Sequence, residues 1–273
     1  KEQMPYLTQS GELYDVGDFN KILDKGILVS DFNGFFKRKK KSKQNGKLRG
    51  LGLCFYIESI LGDQNETTKI KLNNNGRISL FVGTQSNGQG HETAFAQIFH
   101  EKTGVSFDKI DIVQGDSKKI PKGGGTGGSR SVTMQGNSIN VASEIMLDKL
   151  KKVTSKLFKT NKKIIFKNGV FFIENSSKFI EINDLINEVN KQNLNESILT
   201  QKESEVPGRS YPYGAHFAEV EVDPETGETK CVKYTVVDDF GLLINPMLAE
   251  GQVHGGVAQG IGQAITENVV YDE

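Results

Sequence analysis

No run of 18 apolar residues occurs in the chain, and its first residues lack the basic, apolar and small-residue regions of a secretory signal. Neither a membrane-spanning helix nor an export leader is therefore expected. Cysteine is scarce. Cys54 and Cys231 are the only two, each in an apolar, strand-like stretch. With no Cys-x-x-Cys pair and no His/Cys cluster, these residues carry no iron–sulfur or zinc centre. Both thiols are expected to be free and buried, in a protein of the reducing cytoplasm. Charge of one sign is missing too, because 34 Lys and Arg balance 34 Asp and Glu. That balance argues against a nucleic-acid or membrane-surface protein. The basic run at residues 37–41 is local and reads as the solvated end of a helix. A Gly-x-Ser-x-Gly nucleophile elbow is absent, so serine hydrolase chemistry is not expected.

What is present is glycine in three phrases. The first is Gly83-Thr-Gln-Ser-Asn-Gly-Gln-Gly90. The second is Gly123-Gly-Gly-Thr-Gly-Gly-Ser-Arg-Ser131. The third is Gly251-Gln-Val-His-Gly-Gly-Val-Ala-Gln-Gly-Ile-Gly262. The first two stand between strand-like and helix-like segments, where bare amides can approach an anionic ligand. Two such loops point to a large, multiply anionic cofactor. Gly83 and Gly88 have P-loop spacing, but Gln89 stands where the phosphate-binding lysine belongs. Gly123, Gly125 and Gly128 match the dinucleotide fingerprint in spacing, yet Pro121 separates them from the preceding strand. The remaining chemistry is a cradle of glycine amides, glutamine amides and small hydroxyls. A glutamine both donates and accepts, so Gln89 and Gln259 can hold a polar cofactor edge without adding charge.

Apolar spacing predicts helices over residues 18–41, 92–102 and 138–157, with Asp18 near the first N-cap. Strands are predicted at 51–60, 68–72, 77–82, 110–113, 216–222 and 229–237. A hairpin over 164–173 should turn at Asn168-Gly169, with a short helix from Asp184. A further helix should start at Asn245-Pro246 and run through the third glycine phrase. Frequent hairpins favour an α+β class, with hairpin-rich sheets packed with helices. Residues 1–158 and 207–273 are read as two parts of one domain. The Lys/Asn-rich segment 159–206 is read as a peripheral insertion.

In order along the chain, several phrases resemble the molybdenum-cofactor-binding large subunit of the xanthine dehydrogenase/aldehyde oxidase family. They are Pro5-Tyr-Leu-Thr-Gln-Ser-Gly11, Arg49-Gly-Leu-Gly52, the first loop, and Gly115-Asp116 through Ser131. They continue with Tyr213-Gly-Ala-His-Phe-Ala-Glu-Val-Glu-Val-Asp223, Val237-Asp-Asp-Phe-Gly241, Asn245-Pro246 and the third glycine phrase. The resemblance implies oxidative hydroxylation of aldehydes, purines or related heterocycles, or carbon monoxide oxidation, with water as oxygen source. It implies a molybdopterin, bare or as its cytosine dinucleotide. It also implies electron transfer through [2Fe-2S] and FAD domains or subunits, in a dimeric assembly. Gly88, Gln89 and Gly90 would lie along the molybdopterin, and Gly127, Gly128, Ser129 and Ser131 would hold its pterin and phosphate. Arg130 would either meet a phosphate or staple the loop to a carboxylate. Gln259 would hydrogen-bond an oxo ligand of the molybdenum. For His91, His216 and His254, packing or hydrogen bonding is favoured over catalysis.

The family's Gly-Gly-Phe-Gly loop and its general-base glutamate, in a Gly-Glu phrase, do not occur in these residues. Glu267 and Glu273 do not fill that role. Lys1 is not a start methionine, and an apolar run precedes the last residues. A piece of a longer enzyme, without turnover of its own, is therefore expected. A noncatalytic binding or assembly module of the same fold is the alternative.

Overall fold

A computed structural model describes residues 4–60 and 62–272; Lys1 and Glu273 lie outside the described residues. The chain folds as two units, one made of residues 1–60 and 210–273, the other of 61–209. The boundary expected at 158/159 thus falls inside the second unit.

The first unit opens with the short antiparallel pair β1 (Tyr6–Leu7) and β2 (Leu13–Tyr14). Helix α1 (Phe19–Val29) follows, capped by the Asp18 side chain, which accepts from the Lys21 amide at 3.1 Å. The single helix expected over 18–41 is two. Apolar spacing continues through the segment, but Asp31 takes a left-handed φ of 49° and a 3₁₀ turn, Phe32–Gly34, intervenes. Helix α2 (Phe35–Gln44) then leads to β3 (Leu48–Ile57).

The second unit begins with the hairpin β4 (Asn65–Leu72) and β5 (Ile78–Val82), turning at Asn73–Gly76. Helix α3 (His91–Thr103) crosses over to β6 (Ile110–Val113), which pairs parallel with β5. A π-type turn, Ser131–Gln135, leads into α4 (Gly136–Leu157). Strands β7 (Ile164–Lys167), β8 (Val170–Ile173) and β9 (Phe179–Glu181) form a small antiparallel sheet. The β7–β8 turn lies at Asn168-Gly169, both at positive φ. Helices α5 (Ile182–Lys191) and α6 (Asn195–Ile198) precede β10 (Thr200–Glu205). Segment 159–206 is not peripheral: β10 pairs antiparallel with β4 along its whole length, giving the sheet order β10-β4-β5-β6. Ile182, Leu185, Ile186 and Val189 of α5 are buried.

The chain then returns to the first unit. Strand β11 (Tyr213–Val222) runs between β3 and β12 (Thr229–Asp239), all antiparallel. Helix α7 (Pro246–Ile265) starts at Asn245, whose side chain accepts from the Leu248 amide at 3.0 Å. One face of this sheet is packed. Gly26 of α1 sits over Phe217, where a Cβ would collide with the ring. The opposite face carries Cys54, paired in register with His216. The expectation of buried thiols therefore fails: both cysteines are free, but Cys54 is exposed and Cys231 half-buried. β3 and β12 are the edges of a three-stranded sheet, and their cysteine-bearing face has little cover among the described residues.

The core of the second unit forms where α3 and α4 pack on the sheet. Ala94, Phe95, Ile98 and Phe99 face Ile139, Ala142, Met146 and Leu150, all buried. Gly136 lets the helices approach, since a Cβ there would stand 3.1 Å from Ile98 Cδ1. The inward residues of β4 are Glu66, Thr68, Ile70 and Leu72, alternating with half-buried or exposed ones. That face runs from polar to apolar along one strand, and its polar end lies beneath the glycine loops.

Candidate functional site

The second unit brings the first two glycine phrases into direct contact. Gly83 and Gly123 meet backbone to backbone: a Cβ on Gly83 would stand 2.6 Å from Gly123 Cα, and one on Gly123 would stand 2.5 Å from Gly83 Cα. Thr126 donates its hydroxyl to the Gln85 carbonyl at 2.5 Å, adding a second link between the loops. Only glycine tolerates so close an approach of two chains.

Under the loops lies a buried polar frame. Glu66 accepts from the Gly124 amide at 3.0 Å, from the Thr67 amide at 2.9 Å and from Arg130 Nη1 at 2.9 Å. Arg130, only 2% exposed, also donates to the carbonyls of Asp63, Gly125 and Asn65, at 2.8–2.9 Å. Of the two roles open to Arg130, the geometry realises loop stapling to a carboxylate. On the other side, Gln135 accepts from the amides of Gly83 and Thr84. Neither Glu66 nor Gln135 was singled out from sequence.

The first loop folds on itself. Gln89 Oε1 accepts from the Asn87 amide at 2.5 Å, Gln114 Oε1 accepts from the Ser86 amide at 2.9 Å, and Gly88 and Gly90 take positive φ. In the second loop Gly128 and Ser129 are also left-handed, at 58° and 60°. The Ser131 and Thr126 hydroxyls lie 3.4 Å apart. His91 begins α3 and is 2% exposed against Phe95, with ring centroids 4.7 Å apart. Burial pushes its imidazole below the ordinary histidine range, only partly offset by the Thr84 backbone, the Glu92 charge and the Gln114 side chain. Neither ring nitrogen, nor the Thr84 hydroxyl, makes a hydrogen bond of good geometry among the described residues.

These features fit a bulky anionic group held mainly by backbone. A Cβ on Gly88, Gly125 or Gly127 would meet nothing within 4 Å, so the loops are open on the side away from the frame. The loop residues expected to hold a cofactor, Gly88 to Gly90 and Gly127 to Ser131, thus share one unit. Gln259 does not: it lies exposed on α7, in the first unit, as does His254. His216 has a hydrogen-bonding place in that unit. Its Nε2 lies 3.1 Å from Asp238 Oδ1 and its Nδ1 3.2 Å from the Tyr234 hydroxyl, and Tyr56 donates to the same Asp238 oxygen at 3.0 Å. No group of His, Cys, Asp and Glu suited to a metal ion occurs among the described residues, and no described helix is long and apolar enough to cross a membrane.

The chain is similar to proteins of known activity over nearly its whole length. Over all of its length the chain is 30% identical to the carbon monoxide dehydrogenase large chain of Hydrogenophaga pseudoflava, and covers 36% of that protein. It is 28% identical, over 99% of its length, to the nicotine 6-hydroxylase large subunit of Paenarthrobacter nicotinovorans, again covering 36% of the relative. The chain therefore spans about a third of these relatives. A structure of the Cu,Mo-CO dehydrogenase in its carbon monoxide reduced state matches 99% of the chain with a TM-score of 0.86 and 26% identity, over 37% of that protein. Quinoline 2-oxidoreductase from Pseudomonas putida 86 matches the same share at a TM-score of 0.87 and 24% identity, a likeness of fold alone. The α+β fold expected from the hairpins is the fold of these neighbours. Residues 28–273 match the model of the molybdopterin cofactor-binding domain, and the chain belongs to that family.

Proposed function

We propose that the two glycine loops of the second unit hold the anionic end of a molybdopterin, and that the protein is the cofactor-carrying part of a molybdenum hydroxylase. The observation that carries this reading is the backbone contact of Gly83 with Gly123 over a buried polar frame, beside an open row of glycines. Family membership and the likeness to carbon monoxide dehydrogenase support it. When bound, such a cofactor supplies a two-electron redox centre for oxidative hydroxylation of an aldehyde, a purine or related heterocycle, or for carbon monoxide oxidation, with water as oxygen source.

The chain's own residues bind and orient. Gln89, with its carbonyl held on the Asn87 amide, would have its NH₂ to donate to the ligand. The amides of Gly127, Gly128 and Ser129 and the Ser131 hydroxyl would donate to pterin and phosphate oxygens. Arg130 acts from behind the loop, through Glu66 and the Gly125 carbonyl, and not on the ligand. Gln259, on α7 of the first unit, would supply a neutral hydrogen-bond donor for an oxo ligand. The wider reading includes the cytosine dinucleotide form of the cofactor, [2Fe-2S] and FAD partners, a dimeric assembly and a cytoplasmic setting. The reading also has these residues bind the cofactor without turnover of their own.

Expression in a host that makes molybdopterin tests this. Pterin fluorescence after oxidation and elemental molybdenum, both measured per chain, are expected to approach one each. A folded protein that carries neither, or that binds ATP or NAD tightly instead, would overturn the reading. Cofactor binding without turnover in any full-length context would favour the assembly module.

A further inference from the structure

Gln135 is fully buried, and its amide uses every hydrogen bond it can make. Its Oε1 accepts from the Gly83 amide at 2.8 Å and the Thr84 amide at 3.3 Å. Its Nε2 donates to the Thr67 carbonyl at 3.3 Å and the Thr68 hydroxyl at 2.8 Å. From there the bonds run one way. The Thr68 hydroxyl donates to Ser138 Oγ at 2.8 Å, and Ser138 donates to the Glu66 carbonyl at 3.1 Å.

Both loops therefore hang from three consecutive residues of β4. Glu66 holds the second loop through Gly124 and Arg130, while Thr67 and Thr68 hold the first through Gln135. At Gly83 and Gly123 themselves no side chain locks the loops, and the Thr126 hydroxyl on the Gln85 carbonyl is the other link between them. We infer that Gln135 is a positioning residue that fixes the first glycine loop against the strand end carrying the second, and so sets the width of the cradle. This rests on the reading of the cradle as a cofactor site. A ligand gripped by two loops requires their separation to be held within a fraction of an ångström.

No other side chain of this size does the same work. Methionine fills the volume but takes the Gln135 partner from two amides and two acceptors. Glutamate accepts twice but has no donor for the Thr67 carbonyl, and it places a charge in the frame beside Glu66. The site is also local. Gln135 is the last residue of the π-type turn that opens α4, and turns of that kind recur at functional positions.

The test compares Gln135→Met with Ser138→Ala, which removes a hydroxyl of the same network without touching the first loop. Three quantities are measured: amide hydrogen exchange at Gly83 and Thr84, pterin retained per chain after gel filtration, and the urea unfolding midpoint. In Gln135→Met, exchange at both amides is expected to accelerate about tenfold or more and pterin retention to fall about tenfold. Ser138→Ala is expected to keep both near the parent values even at a similar loss of stability. Should Gln135→Met fail to fold, Thr68→Val severs the strand end of the tether instead, with an expected acceleration of about threefold. Unchanged exchange and retention in the tether variants would overturn the inference. So would a loss of retention that simply follows the unfolding midpoint in all variants. If the parent protein binds no pterin, the cofactor reading fails by itself, and amide exchange at Gly83 and Thr84 alone decides whether Gln135 is the tether.

Discussion

The first two glycine phrases and the third look alike as sequence and behave differently as structure. In the second unit, glycines at positions 83 and 123 are crowded to contact, over a buried ion pair and a fully satisfied glutamine. In the first unit, Gly251, Gly255, Gly256 and Gly260 lie within a regular helix, where a Cβ would meet nothing within 4 Å. Not one residue of that helix is buried. Glycine enrichment alone thus does not distinguish a clamped loop from an open helix surface. What distinguishes them is whether buried polar side chains claim the loop's backbone.

The strongest way to break the contrast is to remove Arg130. Arg130→Met leaves the Glu66 carboxylate buried without its partner and is expected to cost about 3–5 kcal/mol in urea unfolding. A loss below about 1 kcal/mol would mean that the pair does not hold the second loop. The next test is steric. Gly83→Ala drives a Cβ into the Glu66 carboxylate and Gly123 Cα, with an expected loss of about 1–3 kcal/mol and of bound pterin. The matching change on the open helix, Gly255→Ala, should have the opposite sign, raising stability by about 0.5–1 kcal/mol through helix propensity. Calorimetry of both variants checks the pair, and a like sign would erase the distinction.

Acid gives the smallest effect at neutral pH. Burial holds the His91 imidazole below its ordinary value of 6.5, so the folded state favours the neutral ring. The stability this contributes is complete above about pH 6.5 and is lost as pH falls through the lower folded-state value. Protection factors in the first loop are therefore expected to drop between pH 7 and the acid range, while those of α7 stay level. His91→Phe should remove the drop. A drop that persists in that variant would assign it elsewhere.

Much of the fold could be read from the chain, because it follows from local patterns. Apolar spacing marked Ala94, Phe95, Ile98 and Phe99 as one face of α3, and they are buried together. Asn168-Gly169 marked its hairpin turn by its positive φ preference. The break at Asp31 was hidden because the apolar spacing runs straight through it. The parallel pairing of β5 with β6 and the antiparallel pairing of β10 with β4 depend on partners distant in sequence.

The loops were visible, but the frame beneath them was not. Glu66 precedes the strand expected at 68–72, and nothing in its local sequence marks it as buried. Its partners Gly124 and Arg130 lie 58 and 64 residues away. Gln135 precedes the helix expected over 138–157, yet it reaches back 52 residues to Gly83.

The most direct test of the cradle is amide hydrogen exchange of the protein with and without bound molybdopterin. Strong new protection at residues 88–91 and 125–131, with little change at Gly83 and Thr84, which the frame already holds, is the predicted result. Exchange in those segments that is indifferent to molybdopterin would contradict it, and the loops would then have to be read as structure alone.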